Sequence, residues 1–166
     1  MTVRRCARGM TVIELVIAVS VIVIMAAVGI PAFTGMIEAR RLTGSVERLA
    51  NDLRTVQSKA VSTGSLYRLA YAGGQYRLEQ RNAASVWVPI TLWYSLSTDY
   101  RGVSFDSIID NNGAGNALAN IAFNSTGSVD NPATAITFPI VLTVSKTGQT
   151  RTIKVTRAGS VQMPAN

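Results

Sequence analysis

The sequence has no histidine and a single cysteine, Cys6, which stands ahead of the main apolar run. Those scarcities exclude much of the usual chemistry of a small enzyme: there is no histidine base, no usual zinc ligand set and, beyond the first residues, no cysteine nucleophile. They also exclude a disulfide, so the fold must be held by packing, while an oxidising compartment is permitted. Charge is scarce too. Charged residues are 15% of the 166 and apolar residues 48%, a balance that excludes a chain disordered by composition. The acids offer no pair spaced for acid–base work, since Glu79, Asp99, Asp106, Asp110 and Asp130 are scattered over expected loops and strand ends. No catalytic residue, cofactor site or metal site is expected. Asp106, Asp110, Asn111 and Asn112 supply oxygens but lack the spacing of a calcium loop, so a polar turn is the expectation there.

Most of the apolar content lies in one N-terminal block. Leu15 to Ile37 contains no charged residue, a run of 23. A helix rising about 1.5 Å per residue crosses a hydrocarbon core of about 30 Å with that many. Arg4, Arg5 and Arg8 precede it and would stay on the cytoplasmic side, leaving the C-terminal body outside. Without those three, the net charge falls from +7 to +4, a weak basis for nucleic-acid binding. Glu14 does not suit an ordinary span. An unpaired acid in or near lipid costs roughly 2.5 kcal/mol or more and asks for a partner. A free α-amino group at Met10 of a neighbouring copy would supply one. A secretory signal peptide cut near Ala27-Val28-Gly29, a simple signal anchor and a buried core helix are the competing readings.

The residues Gly9-Met10-Thr11-Val12-Ile13-Glu14-Leu15 resemble the prepilin signature of type IV pilins and of the pseudopilins of type II secretion. The resemblance implies cleavage after Gly9 by a prepilin peptidase, methylation of Met10, and an assembly role for Glu14, which matches the family's glutamate. Met10 stands where the family usually has phenylalanine. Gly29-Ile30-Pro31-Ala32-Phe33 resembles the family's mid-helix proline segment, and Pro31 is expected to weaken or kink the helix there.

The helix should continue beyond the span. Leu42, Val46, Leu49, Leu53, Val56 and Ala60 form one apolar stripe, with Arg40, Arg41, Glu47, Arg48, Asp52 and Arg54 on the other faces. Packing against the protein's own head is favoured over a free coiled coil, and Gly64 should end the helix. Beyond it the period becomes two. Leu66–Ala72 and Gln75–Arg81 flank Gly73-Gly74 as a hairpin. Val86–Ser95 reads as an aromatic strand demoted in part by Pro89, Val103–Ile108 as a short strand, and Asn111–Asn116 as loop. Ile121–Asn124 leads into a turn at Gly127. Ala135–Ser145 and Arg151–Thr156 flank Lys146–Thr150 as a second hairpin, and Gly159–Gln162 could add a last pairing.

The expected fold class is α+β: a long N-terminal transmembrane-to-periplasmic α-helix packed on a mostly antiparallel β-sheet head. It divides as leader 1–9, transmembrane and assembly helix 10–37, amphipathic helix 38–63 and head 64–166. The order of elements resembles the GspH/FimT group of pilin-like proteins. That implies a structural subunit, a minor pilin or H-type pseudopilin, whose partners are other pilins, the prepilin peptidase and the inner membrane, with no small-molecule substrate.

The alternative is a DNA-binding minor pilin. Some members of this group carry an arginine motif near the C-terminus, and in Arg157-Ala158-Gly159-Ser160-Val161-Gln162 serine and glutamine replace its two arginines. Lys146, Arg151, Lys154 and Arg157 remain as candidate contacts. On a strand, Arg151, Ile153, Val155 and Arg157 share one face and Lys154 takes the other, so the charges form no stripe. Trp87 is expected in the core, and Trp93 either there or in a subunit contact. Asn124-Ser125-Thr126 fits a glycosylation sequon.

Overall fold

A computed structural model describes residues 10–111, 115–130 and 136–163; the side chains of 28, 31 and 32 lie outside that description. The leader and its Gly9 cleavage position, part of the 111–116 loop and the start of the 135–145 stretch therefore fall outside the described residues. The chain divides into two compact units, Met1–Ala39 and Arg40–Asn166.

Of the first unit, the described residues from Val12 onward are helix. α1 runs Val12–Thr63, entering the second unit at Arg40, and its backbone stays helical through Pro31. Its start is fixed locally: Thr11 Oγ1 accepts the Glu14 N–H at 3.3 Å, and the Leu15 N–H reaches the Thr11 carbonyl at 3.2 Å. Thr-x-x-Glu at a helix start is the capping-box pattern, in which the threonine satisfies an otherwise orphaned backbone donor. The uncharged run Leu15–Ile37 lies within α1, interrupted by the three side chains outside the description. Among the described residues no helix is long and apolar enough to cross a membrane, so the expected spanning role rests on the sequence run.

The second unit is the head. Leu42, Val46, Leu49, Leu53, Val56 and Ala60, the predicted stripe, are all buried, and the helix ends at Thr63 ahead of Gly64. Two antiparallel sheets complete the core. The first joins β1 (Tyr67–Ala72), β2 (Gln75–Arg81), β3 (Trp87–Pro89), β4 (Tyr94–Ser95) and β6 (Asn120–Phe123). The second joins β5 (Ser104–Ile109), β7 (Ile140–Lys146), β8 (Gln149–Val155) and β9 (Val161–Gln162) in the order β5-β7-β8-β9. The expected mostly antiparallel β head is thus built as two sheets.

The β1–β2 hairpin closes on Gly73-Gly74 with φ of +56° and +77°, values that suit a primed turn and cost glycine little. β7 alternates buried and half-buried along its length, sending Ile140, Leu142 and Val144 into the core beside Ile153 and Val155 of β8. Three details depart from expectation. The 86–95 strand is split, because Pro89 ends β3 and the chain loops out before rejoining β2 at Tyr94. The second hairpin turns at Thr147-Gly148, so β8 starts at Gln149, and its first strand starts at Ile140. A four-residue helix, α2 (Leu96–Asp99), was not signalled; it buries Leu96.

Candidate functional site

The candidate assembly residue Glu14 sits in the exposed first turn of α1, where a negative charge also suits the positive end of the helix dipole. Among the described residues no ion pair reaches its carboxylate. Met10 is exposed beside the helix start. The large apolar side chains described along the following stretch are uncovered, from Val12 (80% exposed) through Met25 (71%) to Phe33 (67%). A helix apolar on every side is stable only when something else covers it. The capping role of Thr11 matches the Thr-x-x-Glu pattern and engages the Glu14 backbone N–H.

The head gathers charges that the sequence leaves scattered. Arg48, on the exposed side of α1, lies 3.6 Å from Asp52 and 3.4 Å from Asp99, with its guanidinium 4.8 Å from the Tyr94 ring centre. Tyr76 donates to Asp52 at 2.6 Å and Tyr94 to Asp99 at 2.7 Å. Burial, and then the Asp52 hydrogen bond, hold the Tyr76 phenol above its usual pKa. Burial and then Asp99 push Tyr94 up to about 12. Arg48 is held above its usual value: burial opposes this, and Tyr94, Asp52, Tyr76 and Asp99 together outweigh it. Every polar group here has its partner, so the cluster pins α1 to the head and offers no reactive group.

A second array lies on the outward face of the first sheet. Glu79 is 1% exposed and accepts from Arg68 at 2.5 Å and from Arg77 at 2.6 Å. Each arginine then stacks on a tryptophan, Arg68 on Trp87 at 4.2 Å and Arg77 on Trp93 at 4.4 Å. Trp87 is therefore half-buried on the sheet's outer side rather than in the core. The reason is register: Trp87 pairs with Arg81, the face that also carries Arg77 and Glu79.

The four basic candidates do not converge. Lys146 is buried and packs near Gly102, Arg151 is half-buried, Lys154 is exposed on the opposite face from Ile153 and Val155, and Arg157 stacks 5.4 Å from the Phe138 ring. Among the described residues no group of acids could hold a metal ion. Asp110 is taken up by Asn116, and Asp106 by Ser104. Asn124 Oδ1 accepts from the Thr126 N–H, the Thr126 hydroxyl and the Ser128 N–H, which ties the sequon side chain into its own turn.

Several solved structures share this fold. The type IV minor pilin FimU of Pseudomonas aeruginosa is 15% identical, with a TM-score of 0.56 over 77% of this chain and 91% of that one. The minor pseudopilin EpsH from the type 2 secretion system of Vibrio cholerae matches at 15% identity and a TM-score of 0.56, over 75% of this chain and 97% of that one. A second EpsH crystal structure gives 14% identity and 0.58, over 76% and 94%.

This chain has the pilin-like fold. No protein-family model and no curated protein matches its sequence. The fold resemblance stated from Gly9–Leu15 and from the order of the head elements is thus borne out by shape, at identities too low to carry residue roles across.

Proposed function

We propose that the pilin-like chain is a structural subunit, a minor pilin or H-type pseudopilin, of a type IV pilus or a type II secretion pseudopilus. A prepilin peptidase cleaves it after Gly9, residues 10–37 hold it in the inner membrane with the head in the periplasm, and assembly draws that helix into the filament. Pro31 is the point at which the helix yields when subunits pack. The observation that carries this reading is the apolar half of α1, whose described large side chains are uncovered, continuous with a half whose apolar face is buried by its own head. Such a surface requires lipid before assembly and neighbouring helices after it. The company of FimU and EpsH supports a filament subunit, and a role without catalysis.

Glu14 pairs with the free amino group at Met10 of a neighbour and sets the register. Glu14→Gln isolates that role, because glutamine still serves a capping box while carrying no charge. The variant should be processed and retained in the membrane yet scarce in sheared or purified filaments; incorporation equal to wild type refutes the pairing. The machine is identified by scoring exoprotein release and surface piliation together in a deletion strain. Loss of secretion alone marks a pseudopilin, and loss of pili alone a minor pilin.

A further inference from the structure

The helix leaves its uncharged run just before it meets the head. Ile37 closes the run, and Arg40 and Arg41 follow three and four residues later, where the second unit begins. Both are exposed, and so is Arg101, far along the sequence. Among the described residues none of the three has an ion-pair partner.

The fold brings Arg101 to the same end of the head. At the close of α2, Asp99 meets Arg48 at 3.4 Å. Tyr100 then packs its ring on Gly44, one helical turn earlier, so closely that a Cβ there would lie 3.0 Å from it. Arg101 comes next, and Arg40 and Arg41 share the Gly44 face one turn earlier again. At Gly102 φ is +78° and the chain turns back, the Val103 N–H donating to the Tyr100 carbonyl at 3.0 Å. Arg101 therefore sits at the tip of a turn.

The charge at this end is positive locally. Glu38 is the one acid of α1 within a turn of Arg40, so three arginines leave a net +2. Lys146, buried beside Gly102, is a further cation. The next acid, Glu47, is seven residues past Arg40, about 10 Å of helix. That exceeds a Debye length of about 8 Å. Asp52 and Asp99 stand further off, already offset by Arg48. Asp106 lies on β5, which leads away from this end, and accepts from Ser104.

Position selects the partner. The headgroup layer of one leaflet is about 5–7 Å thick. Three or four residues of helix beyond Ile37 advance about 4.5–6 Å, so Arg40 and Arg41 fall within that layer wherever the uncharged run spans a bilayer. A guanidinium donates paired N–H bonds to phosphate oxygens, and cations beside a span are drawn to anionic lipid. We propose that Arg40, Arg41 and Arg101 form a collar that docks the head on anionic phospholipid headgroups of the leaflet on its side. This rests on the membrane-anchored reading above.

The full chain is reconstituted in vesicles of phosphatidylcholine and phosphatidylglycerol, with a spin-labelled version of each lipid added in turn. Electron spin resonance then reads which lipid the protein restricts. Wild type should restrict labelled phosphatidylglycerol several-fold more than phosphatidylcholine. Arg101→Gln should lower that preference about twofold or more, and adding Arg40→Gln and Arg41→Gln should lower it further. Arg4, Arg5 and Arg8 are common to every variant and cancel in the comparison. Lys59→Gln removes the same charge from an exposed site about 28 Å along α1 from Arg40, and should leave the preference unchanged. Inserted chain with no lipid preference overturns the inference while the subunit reading stands. So does a preference that Arg101→Gln leaves intact, or that Lys59→Gln lowers equally. A chain that does not float with the vesicles overturns both.

Discussion

Gly159→Ala tests how the head is locked to its helix. Gly159 holds φ +83°, and a Cβ there would overlap the Gly127 carbonyl oxygen and Gln57 Nε2. Those two atoms are themselves hydrogen-bonded at 2.8 Å, joining α1 to the turn after β6. Gly159 belongs to the turn before β9, where its own N–H donates to Thr156, so three elements meet at one point. An alanine at positive φ costs about 1 kcal/mol or somewhat more. Displacing the Gln57–Gly127 hydrogen bond adds about 1 kcal/mol, and the backbone shift needed to relieve the overlap adds a similar amount. The sum is about 3 kcal/mol. At roughly 4 °C per kcal/mol for a domain of this size, Tm should fall about 12 °C. Gly148→Ala is the internal control: φ is +79° there, but nothing lies within 4 Å of the added methyl. Only the conformational cost, about 1 kcal/mol and about 4 °C, should appear. Thermal unfolding of both variants by circular dichroism, full chain in detergent, gives the comparison. Equal losses would refute the three-element lock and leave only a backbone preference.

Leu53→Ala empties a fully buried site at the middle of the stripe and should cost about 3 kcal/mol, read as a shifted denaturant midpoint at constant m. Glu79→Gln leaves two arginines facing one neutral amide. Because both keep about a quarter of their side-chain exposure, the loss should be about 2 kcal/mol, below that of a fully enclosed pair, and Trp93 fluorescence should shift as Arg77 loosens. Alkaline stability should follow the two phenols. Both folded pKa values lie above the unfolded one, so their stabilisation is complete below about pH 10 and is lost as pH rises, through about 12 for Tyr94. Tm should fall across that window, and Tyr76→Phe should flatten the fall; a profile identical to wild type would contradict the assignment.

What was legible in the sequence follows from range. The stripe from Leu42 to Ala60 and the Gly73-Gly74 hairpin are set by neighbours within one or two turns, so period and turn chemistry sufficed. Arg48 and Asp99 are 51 residues apart, and their meeting depends on how β4 and α2 are laid against α1. No spacing rule reaches that far, which is why the acids looked scattered. The split into two sheets has the same origin, since strand order is a tertiary outcome. Trp87 was misplaced for a different reason. Aromatic character suggests the core, but register put it on the outer face, where Arg68 covers it. Glu14 stands out in the sequence as a carboxylate costly to leave beside an apolar run, and the assembly role given to it is the proposal made above. The Arg77–Trp93 clamp was not, because cation–π stacking leaves no periodic trace.

The sheet borders have a consequence for how copies of this chain coexist at high local concentration. β3 has three residues and ends in Pro89, β9 has two, β6 has four, and β5 is interrupted by a register shift between Phe105 and Ser107. These border strands are short, proline-ended or bent, features that discourage edge-to-edge sheet growth between copies. Copies crowded together are thereby less prone to add strand to strand at these borders, which leaves side chains as the groups that meet there.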